Sequence, residues 1–583
     1  MTRTDSVVVG TLVALLAILA ALIGVPAMQL ASNPIAATPG PVPSVPEIEA
    51  RPYVEGVLGS PTSVSPLTAR TQADRDLVAL VFAGLVRNGP NGTVVPDLAE
   101  RWSVDSSGKT WTVDLRADAT WQDGQPVTSD DVVFTIRTLQ DPEYTGPSAS
   151  SWNDVEVVAH GPQRVTFTLS TPLGGFLQAL TQPIAPAHLL AEVPVTDLPV
   201  DPFGQQPIGA GPFALTELTD TSATLVPVGT IPPLGPDTSQ AAPSAGATDS
   251  LTTPAPTRRP SRPQPYLAGI EFRYFGDADE LAASFRSGEL DAASGLPPQV
   301  AADLGTSGGA RLLRYPGSTL SAVLLNLRPG HPEFATPAIR TAYLAAIDRD
   351  RLIDTAFSGL AVAATDPIPP SSPMLDPKAD PAVPYARTDA GKALRAAGWV
   401  RDDKGWHLTK SRAALKLEVI SPTEAVNRGL YLAAESVVQD WKTLGLIATH
   451  LALPPGEYAG ERLSTGTFQV AVADLRIGLD PDLYPLLASS QTLTGGSNVI
   501  GIQDPTLDPF LENARAPGSM TVRTAAYSAL QAQLGKGRYL LPLAFPDEVV
   551  VFRDTVEGPV ARQVADGSDR FWDVLTWRLA VGR

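Results

Sequence analysis

Few residues in this chain have the types and spacing that covalent chemistry requires. The five histidines, His160, His188, His331, His407 and His450, lie far apart, and none forms an H-E-x-x-H pair. We read no G-x-S-x-G elbow and no P-loop. Gly209 and Gly211 begin the letters of a dinucleotide fingerprint, but Pro212 follows and no helix pattern does. With no cysteine, disulfides, thiolate metal sites, cysteine nucleophiles and an acylated N-terminal cysteine are excluded together. Scattered carboxylates leave a glycosidase-like pair open, though nothing points to one. Recognition chemistry has more to work with. Asp474 and Arg476 stand two residues apart, just after the apolar run Gln469–Ala473. They can face a charged solute or pair with each other.

The elements that must position such residues alternate between strand and helix. In Trp111–Leu115 apolar residues recur at every second position, the period of a half-buried strand, and Asp105–Gly108 is a turn before it. Thr128-Ser-Asp-Asp131 has the spacing of a capping box ahead of Val132, Val133 and Ile136. Ile270–Phe275 reads as a strand and Ala278–Ser287 as a helix. Pro337–Phe357 reads as one amphipathic helix, with Ile339, Ala342, Tyr343, Ala346 and Ile347 on one face. Leu415–Ile420, Leu430–Leu444 and Gln469–Ala473 read as strand, helix and strand. Leu541–Phe545 and Glu548–Phe552 read as two further strands. The class is mixed α/β, and 583 residues exceed what one core usually supports, so at least two core units are expected. Trp102, Trp111, Trp121, Trp399 and Trp406 are expected to pack in cores or turns rather than stack on a ligand.

The net charge of −18 repels phosphate backbones, so nucleic acid is not an expected partner. Residues 7–28 are nearly all apolar, long enough to cross a bilayer. They follow a short tail, 1–6, expected in the cytoplasm, and they read as a transmembrane anchor, with cleavage as a signal segment the competing reading. Residues 29–50 are a Pro-rich spacer, and 230–265 a second Pro/Ser/Thr-rich stretch read as a flexible surface insertion.

Four segments give the chain a family likeness. They are Leu80–Ile136, the loop PIGAGPF at Pro207–Phe213, Pro265–Ala293 and Ala338–Ala361. In this order, over some 500 residues, the chain resembles the family 5 extracellular solute-binding proteins, the oligopeptide-, dipeptide- and nickel-binding group of ABC importers. The resemblance implies a two-lobed, type II periplasmic-binding-protein-like fold with a hinge. Lobe I would take 51–315 and 547–583, and lobe II 316–546, with crossings near Tyr315–Ser318 and Pro546–Val551. It implies hinge closure on a small solute, an oligopeptide being the family's typical one, and delivery to ABC permease subunits in the membrane by a monomer with no cofactor, no metal and no catalytic residue. The body would lie on the extracytoplasmic side. A membrane-tethered sensor or scaffold that keeps the fold without transport is the alternative.

The likeness also nominates cleft residues. Thr68, Arg70 and Thr71 belong to a loop expected to face the cleft, and Arg70 has the fork to grip a carboxylate. Ser318 and Thr319 start a strand at the first crossing, where backbone groups can meet an extended ligand. Asp474, Arg476 and Asp480 complete the set. Peptide-binding relatives carry a Gly-Trp pair and then an acid that holds the peptide ammonium. Aligned on Asp480-Pro481, this chain has Ala473-Asp474 and then Ile477, so the usual ammonium anchor is missing.

Overall fold

The computed structural model describes residues 51–89, 93–147, 152–228, 265–409, 414–492 and 496–580. The apolar segment 7–28, the spacer 29–50 and nearly all of the stretch 230–265 lie outside the described residues. Among the described residues no helix is long and apolar enough to cross a membrane.

One strand organises the body. Leu541–Arg553 is a continuous run of 13 residues, where the sequence suggested two strands. Its first half pairs with Thr319–Leu325 and its second with Ala310–Pro316, both antiparallel. The chain therefore passes between the two halves of the body twice, at Pro316–Thr319 and at Pro546–Asp547. Pro546 donates no hydrogen bond, yet the strand runs on through it. Neighbours on both sides hold it, Ala361 facing Pro546 and Pro316 facing Asp547.

Around this axis lies a twelve-stranded sheet. In lobe I the strands Phe213–Leu218, Ser222–Pro227, Ile270–Phe275, Tyr53–Leu58 and Ala292–Ser294 lead to it in that spatial order. In lobe II the order from the axis is Thr319–Leu325, Val470–Arg476, Lys416–Pro422 and Ile447–Leu453. A separate antiparallel sheet in lobe I joins Ala99–Val104, Thr110–Leu115, Arg164–Leu169 and Val155–Ala159. Trp102, Trp111 and Trp121 are buried in lobe I, and Trp399 and Trp406 in lobe II, as expected of packing residues.

Strand alternation sorts the sheet into two faces. On one face, Val550 and Phe552 enter the main lobe I core with Tyr53, Trp111 and Trp577. Ala544, Val323, Val470 and Val472 enter a lobe II core with Tyr343 and Trp441 on the same face. On the other face, Val551 packs with Leu281 and Phe285, and Phe545, Ala471, Ala473 and Ile477 with Leu507 and Tyr527. Each lobe thus owns two cores, one on each side of a shared sheet.

Two local readings need correction. Pro337–Phe357 is two helices, Pro337–Ala345 and Arg349–Phe357. Asp348 breaks the run because its carboxylate caps the second helix, accepting from the Arg351 N–H at 3.1 Å. The letters G-x-S-x-G do occur, at Gly305–Gly309. They lie between the helix Pro298–Gly305 and the strand Ala310–Pro316, the reverse of the strand-to-helix order that exposes a nucleophile.

Candidate ligand cleft

The cleft floor follows from the faces just described. Ser321 faces Ala544 across the pair, so Ala544, Pro546 and Glu548 share its side of the sheet. Asp474 faces Ser321, and Arg476 faces Thr319. On this side the sheet is covered by the lobe I core at Val550 and by the lobe II core at Val472. Between them lies the strip Thr319, Asp474, Arg476, Pro546 and Glu548. Asp474, Arg476 and Glu548 are exposed, whereas Leu475, Ile477 and Val550 beside them are buried.

Asp474 is open to solvent yet ringed by protein, and that desolvation raises its carboxyl pKa. Glu548 is raised in the same way, by desolvation first and then by the charge of Asp566. Asp474 does not pair with Arg476. One of its oxygens accepts from the Ser321 hydroxyl at 2.6 Å and the other from the Asn427 amide at 3.2 Å. Asn427 also caps the helix Arg428–Leu444, whose N-terminus therefore points at the floor. Among the described residues the Arg476 and Glu548 side chains are in no hydrogen bond or close ion pair, although the charge of Arg476 acts on Asp474 and those of Arg570 and Arg75 act on Glu548.

A contact between the lobes closes one side. The Gly174 N–H donates to the Arg515 carbonyl at 2.7 Å. A Cβ on Gly175 would lie 3.0 Å from the Asp480 carboxyl carbon, and one on Gly108 would lie 2.4 Å from Pro517. Asp480 itself is gripped by both terminal nitrogens of Arg523, at 2.7 and 2.8 Å.

The nominated residues thus divide. Arg476, Asp474 and Thr319 come together on the floor. Ser318 is buried, and its backbone is fully used: its N–H donates to Val564 O at 3.0 Å and its carbonyl accepts from Ile477 N at 3.2 Å. Asp480 is committed to Arg523. In the Thr68–Thr71 loop, the Thr68 hydroxyl bonds Ser63 at 2.6 Å, and Thr71 caps the helix Gln72–Val81 in a capping box with Asp74. Arg70 is exposed and donates to the Thr145 carbonyl at 2.9 Å. This loop is wound around Asp74, which accepts from the backbone of Thr62, Ser63, Arg70 and Thr71. Burial works against that carboxylate, but these bonds hold its pKa below the ordinary value. Ile477, where relatives carry an acid, is buried in a lobe II core on the far side of the sheet.

Two floor contributors escaped the sequence. Glu548 opens the otherwise apolar run Val549–Phe552, and a lone acid at a lobe crossing was its signal. Asn427, just ahead of an apolar helix, carried an ordinary N-cap signal. A separate lobe I recess of about 580 Å³ contains Arg75, Arg116 and Arg562. Asp566 and Asp118 hold the first two, and the carbonyls of Gly89 and Asp569 the third. Among the described residues no group of three or more histidine, aspartate or glutamate side chains is placed to hold a metal.

The family model for bacterial extracellular solute-binding proteins, family 5 Middle, matches residues 93–497. Protein XP55 of Streptomyces lividans is 27% identical over 514 residues, covering 87% of this chain and 86% of that protein. The oligopeptide-binding protein AppA of Bacillus subtilis is 22% identical over 512 residues, covering 87% and 88%. The fold matches that of AppA solved with a nonapeptide, at a TM-score of 0.67 and 20% identity over 92% of this chain and all of that one. It also matches HbpA2 from Haemophilus parasuis, at a TM-score of 0.73 and 20% identity over 91% and 100%. The chain belongs to the bacterial extracellular solute-binding proteins of family 5, a family of binding proteins and not of enzymes.

Proposed function

We propose that this protein captures a small, peptide-like solute between its lobes and hands it to the permease of an ABC importer. The observation that carries the reading is the polar strip Thr319–Asp474–Arg476–Glu548, whose three charged residues are exposed between the buried residues of the two lobes' cores. Such a strip costs stability unless it serves recognition, because charged groups in a crevice lose hydration without a partner. The relatives support the peptide class: the oligopeptide-binding protein AppA and a probable di/tripeptide-binding protein of Pseudomonas aeruginosa. The apolar segment 7–28 would tether the body at the outer face of the membrane, the role that an acylated cysteine could otherwise play. The protein would act as a monomer.

The test is uptake. Cells lacking the protein should lose import of the solute that co-purifies with it, and cross-linking in intact membranes should join it to a permease subunit. Undiminished import and no permease cross-link would contradict the transport role.

A further inference from the structure

The charged side chains near the crossings are nearly all committed. Asp480 is held by Arg523, Asp482 by Arg515, Asp547 by Arg314, and Asp566 by Arg75. Asp474 is spent on Ser321 and Asn427. Among the described residues Arg476 and Glu548 are the exceptions, in no side-chain hydrogen bond or close ion pair, and they have opposite sign.

Their relative position is fixed by register. Glu548 faces Tyr315 and Arg476 faces Thr319 on one continuous segment, from strands on opposite sides of it. Four residues and two inter-strand spacings separate their Cα atoms, roughly 17 Å at most. Alternation puts both side chains on the same face of the sheet, in the gap between the two cores. A cation and an anion on one floor, neither engaged in a side-chain hydrogen bond or close ion pair among the described residues, form a complementary template for a solute with charges at both ends.

Resting on the solute-binding reading above, we propose that the ligand is dipolar, its anionic group bound by Arg476 and its cationic group by Glu548. Arg476 supplies a planar fork that matches a carboxylate. Glu548 takes the cation-binding role that Ile477 cannot fill, since Ile477 lies in the core on the opposite face. The separation suits a short extended chain of up to about four residues at ~3.4 Å each. Asp474 then positions rather than binds: its bonds to Ser321 and Asn427 hold its carboxylate out of a close ion pair with Arg476.

The experiment uses the full chain and a synthetic tripeptide library in three forms: free, N-acetylated and C-amidated. Binding is read by native mass spectrometry and titration calorimetry. The wild type should prefer the free form over both blocked forms by at least tenfold. Glu548→Gln should weaken the free form at least tenfold and remove the penalty of N-acetylation alone. Arg476→Gln should do the same for C-amidation. Wild-type preference left intact in both variants, or blocked forms bound as well as the free one, would overturn this assignment while leaving the binding function standing. Binding of none of the three forms would overturn it together with the peptide reading.

Discussion

Asp480 and Arg523 are joined by two parallel hydrogen bonds of 2.7 and 2.8 Å, directly beneath the lobe I glycine Gly175. The pair belongs wholly to lobe II, so it shapes a platform onto which Leu173–Gly175 settles. Its carboxylate is fixed in place, and Gly174 completes the contact through the Arg515 carbonyl.

Enlarging Gly175 should therefore obstruct closure without touching the floor. Gly175→Val is expected to weaken solute binding about tenfold, ~1.4 kcal/mol. Small-angle scattering should show a larger radius of gyration at saturating solute than for the wild type. Wild-type affinity in this variant would remove the docking role of the loop.

The crossing is equally tight. A Cβ on Gly317 would sit 2.2 Å from the Pro546 carbonyl oxygen, so the two crossing segments approach at a distance that only glycine permits. Gly317→Ala should lower stability by about 1–3 kcal/mol through backbone displacement, measured by urea unfolding. It should also change affinity, because the displaced segment leads straight into Thr319.

Below the lobe I side of the floor, Arg570 is buried against Glu55 at 2.8 Å and Asp76 at 2.7 Å, and Gln72 and Tyr53 bond the same carboxylates. Removing the cation leaves two buried carboxylates uncompensated. Arg570→Met should cost about 3–5 kcal/mol, visible as a lower urea midpoint. Pairing it with Glu55→Gln and Asp76→Asn should recover part of that loss.

Asp366 in lobe II is buried, with one oxygen bonded to the Ile368 N–H at 2.7 Å and the other without a hydrogen-bond partner among the described residues. Desolvation, reinforced by Asp380, raises its pKa to about 7. Between the unfolded value near 4 and about 7 the folded state holds a proton that the unfolded state has lost, so stability falls as pH rises through that window. Asp366→Asn should abolish this slope and be the more stable protein at pH 8, by a margin on the order of 2–4 kcal/mol. Parallel stability–pH curves for the two proteins would refute the assignment.

Much of the fold was legible because local rules and packing agree in it. Ala278–Ser287 and Ile270–Phe275 have the ends their patterns suggested, and Thr128 caps its helix with Asp131 as the spacing required. The misreadings came where tertiary neighbours outweigh local signals. Pro546 looks like a strand end, and only its partners on both edges carry the strand through it. Asp348 lies in an apolar period, and its cap becomes visible only once the chain turns. The floor was half legible. Asp474 and Arg476 stood out by spacing, but the hydrogen bonds that occupy Asp474 come from Ser321 and Asn427, which are 153 and 47 residues away in sequence. Glu548 could not be joined to Arg476 without the register of the crossing strands. The Thr68–Thr71 loop was assigned by likeness alone, and its hydroxyls serve Ser63 and Asp74 instead.

Native mass spectrometry of the full chain, purified without refolding, tests the binding role most directly. One small molecule per chain should be seen in the wild type, released chemically unchanged on denaturation, and lost when Arg476→Gln and Glu548→Gln are combined. A chain that carries nothing, that retains its passenger in the double variant, or that converts it during incubation would contradict a solute held between the lobes on this floor.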